Sequence, residues 1–194
     1  MEIFKNYLKK HTSITDEQFS LLSNELKTKR VAKGEILLIA NTRTKLFFFV
    51  CKGLLRSYTL DKHGKEHVIQ FAAENGFVGD RNSVMFEEPT QFYVDALEDA
   101  EVVLVNKKFM DLAHEVIPNF GLYNTLRLND SIRDIQRRVN LLLGSTAEER
   151  YNSFLQFYPE LGLRLSQIMI ASYLGITPES LSRVRGNLSK KHSS

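Results

Sequence analysis

The hydrophobic period changes along the chain, and each change marks a boundary. Residues 1–26 carry a helical pattern. Thr15 followed three residues later by Gln18 is a capping box, which opens a helix with Phe19, Leu22 and Leu26 on one side. From residue 27 to 106 the period shortens. Val31 and the runs 36–39, 46–50, 54–60, 67–71, 92–97 and 102–105 are short and rich in β-branched or aromatic residues. Gly34, Gly53, Gly64 and Gly76 punctuate them, and Asp61-Lys62-His63-Gly64 reads as a hairpin turn. Many short strands at this spacing predict an antiparallel barrel or jelly roll, closed by a short helix over 107–115.

The helical period returns at Pro118 and predicts one long helix to about Leu143. Leu128, Ile132, Ile135, Val139 and Leu142 recur at intervals of four and three, a narrow seam flanked by Arg127, Asp130, Arg133, Asp134, Arg137 and Arg138. Such a seam suits a partner helix better than the broad face a globular core wants, so it is the expected dimer interface. Gly144 ends this helix, and Thr146 with Glu149 forms a second capping box before Phe154, Leu155 and Phe157.

Residues 164–188, RLSQIMIASYLGITPESLSRVRGNL, predict two short helices around a tight turn. Ser166 caps the first, and Ile168, Ile170, Ala171 and Leu174 form its apolar side. Gly175 supplies the turn, because glycine enters the left-handed region without steric cost. Thr177 caps the second helix, with Pro178 at its first position and Glu179 in its first turn. Leu181, Val184 and Leu188 would face the first helix. Outward on the second stand Glu179, Ser180, Ser182, Arg183 and Arg185. This is a helix-turn-helix pattern, whose second helix enters a DNA major groove.

Charge supports that reading. From Arg164 to the end there are five Lys/Arg (164, 183, 185, 190, 191) and one Glu (179), a net of +4, while the whole chain of 194 residues carries only +3. Positive charge is concentrated where phosphates would be met. The candidate DNA-binding residues are Thr177, Glu179, Ser180, Ser182, Arg183, Arg185, Lys190 and Lys191. Composition is otherwise ordinary for a globular protein, at 43% hydrophobic and 25% charged. The single cysteine, Cys51, excludes a disulfide framework and a four-cysteine metal site. No run approaches the roughly 20 apolar residues of a membrane span, and the start is polar and Lys-rich, so a cytoplasmic protein without a membrane partner is expected.

The resulting fold class is α+β: an N-terminal antiparallel β jelly roll over 1–117, a long dimerisation helix over 118–143 and an all-α helix-turn-helix domain over 144–194. A family resemblance covers nearly the whole chain. It rests on Gly53-Leu-Leu-Arg56, Asp61-Lys-His-Gly-Lys-Glu66, Asn75-Gly-Phe-Val-Gly-Asp80, Val94-Asp-Ala96, the long helix, and Ala171-Ser-Tyr-Leu-Gly-Ile-Thr-Pro-Glu-Ser-Leu-Ser-Arg183. These residues resemble the Crp–Fnr superfamily of bacterial transcription regulators, particularly short members that end soon after the recognition helix. The resemblance implies a cyclic-nucleotide-binding-type β-roll, a homodimer across the long helix and a two-fold operator in double-stranded DNA, with RNA polymerase as a further partner. Six residues follow Leu188, so the β wing that many members carry is not expected there.

The resemblance also bears on ligands. Members that bind cyclic AMP hold the ribose with a Gly-Glu pair and the phosphate with an Arg-Ser pair. Here Gly79-Asp80 stands at the first pair and Thr90-Gln91 at the second, so the phosphate lacks its charged, bidentate partner. Arg81 is the one nearby cation, and alternation along a continuing strand would turn it to the other face. Gly79, Asp80, Arg81, Thr90 and Gln91 are therefore candidate ligand residues, with cyclic AMP disfavoured and another small-molecule effector left open. Cys51 alone cannot hold the iron–sulfur cluster of oxygen-sensing members. On the recognition helix, Glu179 and Arg183 match the family's second and third base-reading positions, and Pro178 replaces the first. Glu accepts from a cytosine amine and Arg donates to guanine O6 and N7.

Two other readings stay open. One is a cyclic-nucleotide-type module acting through protein partners. The other is a jelly-roll metal enzyme, but His63 and His67 would lie about 13 Å apart on a strand. HExxH, GxSxG and P-loop patterns are absent, so no catalytic or metal-binding residue is assigned.

Overall fold

The computed structural model describes residues 1–192, with side chains through Lys190. The chain forms two compact units. One comprises residues 1–59 and 69–127; the other comprises Leu60–Val68 together with the chain from Leu128 onward. None of the described helices is long and apolar enough to cross a membrane.

In the first unit, α1 (Glu2–His11) and α2 (Asp16–Ser23) precede the strands. The Thr15 capping box forms in both directions, with Gln18 N–H donating to the Thr15 hydroxyl at 3.2 Å and Thr15 N–H donating to Gln18 Oε1 at 2.9 Å. Two four-stranded antiparallel sheets follow. The first has β1 (Lys27–Val31), β8 (Ala100–Asn106), β3 (Leu46–Lys52) and β6 (Phe77–Val78) in that order. The second has β2 (Ile36–Leu38), β7 (Tyr93–Ala96), β4 (Leu55–Leu60) and β5 (Glu66–Ala72), so β5 is an edge strand. This is the expected jelly roll, with β6 too short to stand out in the sequence.

Alternation explains the layers. Phe48, Val50, Val102 and Leu55 turn inward and meet Val31, Leu38, Val94 and Ala96 between the sheets. Their neighbours Phe49, Cys51, Val103 and Val105 turn outward and are covered by Phe4, Leu8, Phe19 and Leu22 of the first two helices and by Phe109 of α4 (Lys107–Val116). The run LFFFVC of β3 is apolar on both faces because both faces are covered. Two stretches of the family pattern acquire a structural reason here. Arg56 and Asp95 are direct cross-strand partners, buried, and joined by two hydrogen bonds of 2.8 and 2.9 Å. Gly53 has φ +94°, and a Cβ there would stand 2.7 Å from the Asp99 carbonyl oxygen, so no side chain fits.

One expectation fails in this unit. The strand that carries Gly79 and Asp80 does not continue: it ends at Val78, and α3 (Arg81–Phe86) starts instead. Asp80 is the N-cap of that helix, its carboxylate accepting from Asn82 N–H at 2.8 Å. Arg81 therefore lies on a helix, exposed, and strand alternation does not apply to it.

Helix α5 (Phe120–Gly144) is the predicted long helix, starting two residues later than Pro118. In the second unit it is followed by α6 (Ala147–Phe157), α7 (Leu161–Arg164), α8 (Gln167–Leu174) and α9 (Pro178–His192). Thr146 and Glu149 close the second capping box reciprocally.

Candidate nucleic-acid interface and effector region

Helices α8 and α9 form the expected corner. The Ser166 hydroxyl caps α8 by accepting from Met169 N–H. Gly175 stands at φ +65°, with its N–H donating to the Ser172 carbonyl at 3.2 Å and Ile176 N–H donating to the Ala171 carbonyl at 3.0 Å. That pair of bonds is a Schellman motif, which needs a left-handed residue. A Cβ on Gly175 would also lie 3.0 Å from Leu142 Cδ2. Ile170, Ala171 and Leu174 are buried on one side and Leu181 and Val184 on the other. Ile168 is not part of this packing. It is 69% exposed, and the reason is geometric: residues two apart on a helix point to opposite sides, so Ile168 and Ile170 cannot share a face.

On α9 the opposite side is polar. Glu179, Ser182, Arg183 and Arg185 are exposed, as is Lys190 further along, while Ser180 is half-buried. Thr177 and Ser180 are engaged at the helix start: Ser180 N–H donates to the Thr177 hydroxyl at 3.2 Å, and that hydroxyl donates to Ser180 Oγ at 3.3 Å. The Glu179 carboxyl is held below the usual range chiefly by its own backbone N–H, so it stays ionised and anchored at the positive end of the helix. The side chain of Lys191 lies outside the described residues.

Beneath this corner, aromatic rings and guanidiniums pack together. Phe154, Tyr158 and Tyr173 form a cluster with centroids 5.5 to 6.1 Å apart. Arg138 lies 4.1 Å over the Tyr173 ring and Arg137 lies 3.5 Å over Phe157. Burial pushes the Tyr173 phenol well above its ordinary range. Arg150 donates to three backbone carbonyls, those of Ser145, Leu174 and Leu142, at 3.0, 3.2 and 2.8 Å, and so ties the ends of α5 and α8 together. A cation at two helix C-termini also suits both macrodipoles. None of these three arginines can be assigned such a role from sequence, because backbone carbonyls and ring faces as partners leave no residue-type signal.

The candidate ligand residues of the first unit do not present a common set of free polar groups. Thr90 is fully buried: its N–H donates to the Thr42 carbonyl at 2.9 Å, its carbonyl accepts from Asn41 N–H at 2.7 Å, and its hydroxyl accepts from Phe92 N–H at 3.1 Å. Ser83, also fully buried, accepts from Thr44 N–H at 2.8 Å. Asp80 is buried in its capping role, and Arg81 and Gln91 are exposed. His67 Nε2 donates to the Asp61 carboxylate at 3.1 Å in the hairpin turn, and among the described residues no group of His, Cys, Asp or Glu could hold a metal ion.

Residues 28–114 match the cyclic nucleotide-binding domain family. The fumarate and nitrate reduction regulatory protein of Yersinia pestis is 25% identical over 192 residues, covering 93% of this chain and 76% of that protein. Together the domain match and this relative support a transcription regulator of the Crp–Fnr type. The relatives it matches are regulatory proteins. Solved structures agree with the Crp–Fnr fold. FixK2 from Bradyrhizobium japonicum superposes with a TM-score of 0.75 at 22% identity, covering 86% of each chain. A crp/fnr-family transcriptional regulator from Eubacterium rectale gives 0.69 at 19% identity, covering 96% of this chain and 88% of that one. The two segments expected to meet partners thus differ in kind. The α9 face is polar and open, while the turn from Gly79 to Gln91 spends its buried polar groups on the fold itself.

Proposed function

We propose that this chain is a Crp–Fnr-type regulator that acts as a homodimer and reads a two-fold DNA site with the exposed face of α9. The carrying observation is that face: hydroxyls, one anchored carboxylate and two guanidiniums stand opposite the packed Leu181 and Val184. Arg183, five residues into the helix from Pro178, is the base reader, and its fork suits guanine O6 and N7. Glu179 suits a cytosine amine, Arg185 and Ser182 supplement them, and Lys190 and Lys191 meet phosphates. Dimerisation through α5 is supported by Ile132, Ile135, Val139 and Leu142, which are all exposed on the single chain.

The sandwich is read as one that does not take cyclic AMP. No guanidinium stands at Thr90-Gln91, and Asp80, Ser83 and Thr90 are occupied within the fold. A calorimetric titration with cyclic AMP is expected to give no saturable heat; a micromolar or tighter dissociation constant would overturn this part and point to Arg81 as the replacement cation.

The deciding test is a binding titration on a duplex that the protein selects from a random pool, with single-base variants of it. Arg183→Ala should cost about 1–3 kcal/mol and flatten discrimination at one base pair per half-site. Lys190→Ala should weaken all sequences alike and lower the salt slope by about one unit for each phosphate no longer neutralised. Equal loss on every sequence for Arg183→Ala would make Arg183 a phosphate contact and refute this placement of α9.

A further inference from the structure

As an edge strand, β5 turns alternate N–H and C=O groups away from β4, where no strand of the described residues meets them. At Glu66 and Val68 the outward groups are taken up by side chains of the helices. Val68 N–H donates to the Ser172 hydroxyl at 3.0 Å, and that hydroxyl donates to the Glu66 carbonyl at 2.9 Å. Arg138 Nη2 donates to the Val68 carbonyl at 2.8 Å and to the Tyr173 carbonyl at 3.0 Å. One hydroxyl and one guanidinium thus stand in for a neighbouring strand over this stretch. All of these residues belong to the second unit.

The position of this clasp gives it a consequence. Ser172 and Tyr173 lie on α8, directly before the Gly175 corner that delivers α9, and α8 and α9 are locked together by buried Leu174 and Leu181. Whatever holds α8 therefore holds α9. The Ser172 hydroxyl is committed to the strand, as donor and acceptor at once. We infer that Ser172 and Arg138 are positioning residues for DNA recognition, clasping the edge of β5 at Glu66–Val68 so that α9 is presented in one fixed orientation. The inference rests on α9 being the reading helix. A helix pair without this clasp has more orientations to lose on binding, which weakens association without touching a base contact.

The test uses the full chain and the selected duplex. Ser172→Ala removes both hydroxyl bonds and should weaken binding about three- to tenfold, the net worth of one or two hydrogen bonds, at every sequence variant alike. Ser172→Thr keeps the hydroxyl and should restore wild-type affinity. The second readout is amide exchange at Val68. By reciprocity, the duplex must strengthen the clasp by the factor by which the clasp strengthens duplex binding, so Val68 exchange should slow on adding DNA. Wild-type affinity for Ser172→Ala, or faster Val68 exchange in the complex, overturns the inference. Arg183→Ala in the same titration separates the two ideas. If it loses discrimination while Ser172→Ala is silent, only the clasp falls; if it keeps discrimination, the reading of α9 falls and the clasp with it.

Discussion

Helices α5 and α9 carry apolar stripes of the same periodicity, and the two stripes have opposite fates. On α9, Leu181 is completely buried and Val184 nearly so, held under α8 within the same chain. On α5, Ile132, Ile135, Val139 and Leu142 repeat at the same intervals, yet Ile135 is 63% exposed. Period alone says that a face is apolar; it does not say whether the chain itself supplies the cover. A stripe that is satisfied internally contributes to folding, whereas one left open contributes to association. The charged residues beside the α5 stripe agree with the second role, since Arg133 pairs with Asp130 and Arg137 with Asp134 along the helix, leaving the seam itself apolar.

This contrast can be broken by two substitutions. The larger effect is expected for Ile135→Asp, which puts an unpaired carboxylate from each chain into the dimer seam, at a cost of about 3–5 kcal/mol for each buried charge. Light scattering should then find a monomer with unchanged helix content. A dimer that persists would place the interface elsewhere and leave the α5 stripe unexplained. Leu181→Ala should behave in the opposite way, losing about 2–5 kcal/mol of stability through reduced burial and the cavity left behind. Its unfolding midpoint in denaturant should fall while the protein at low denaturant remains a dimer. If Leu181→Ala instead dissociated the dimer with no loss of stability in the helical unit, the distinction between the two stripes would collapse.

Legibility in the sequence divides along the same line. Features made by neighbours along the chain are legible: the capping boxes at Thr15 and Thr146, the caps at Ser166 and Thr177, the left-handed Gly175, and the strand alternation of the sandwich. Thr90-Gln91 is visibly a segment without a guanidinium, but the buried hydrogen bonds of Thr90 to Thr42 and Asn41 have no local signal. Arg81 escapes because a two-residue strand gives no period from which to see it end, and Asp80 can cap a helix as easily as hold a ligand. Ile168 falls on the wrong side when apolar residues are gathered without regard to their 100° spacing. The clasp is out of reach altogether: Ser172 and Glu66 are separated by 106 residues, and nothing in a lone serine announces a strand edge.

The core of the sandwich has one more consequence, for sulfur chemistry. Cys51 is the chain's only cysteine, and it sits 4% exposed among Phe49, Val103 and the first two helices. Burial pushes its thiol up, away from the thiolate that alone attacks electrophiles and oxidants. The native chain is accordingly expected to react slowly with alkylating reagents and mild peroxide, which a thiol titration on the folded protein would check. A cysteine introduced on the open face of α9 or along α5 would be the one that reacts, so fluorescent or spin probes can be attached there with the native sulfur left in place.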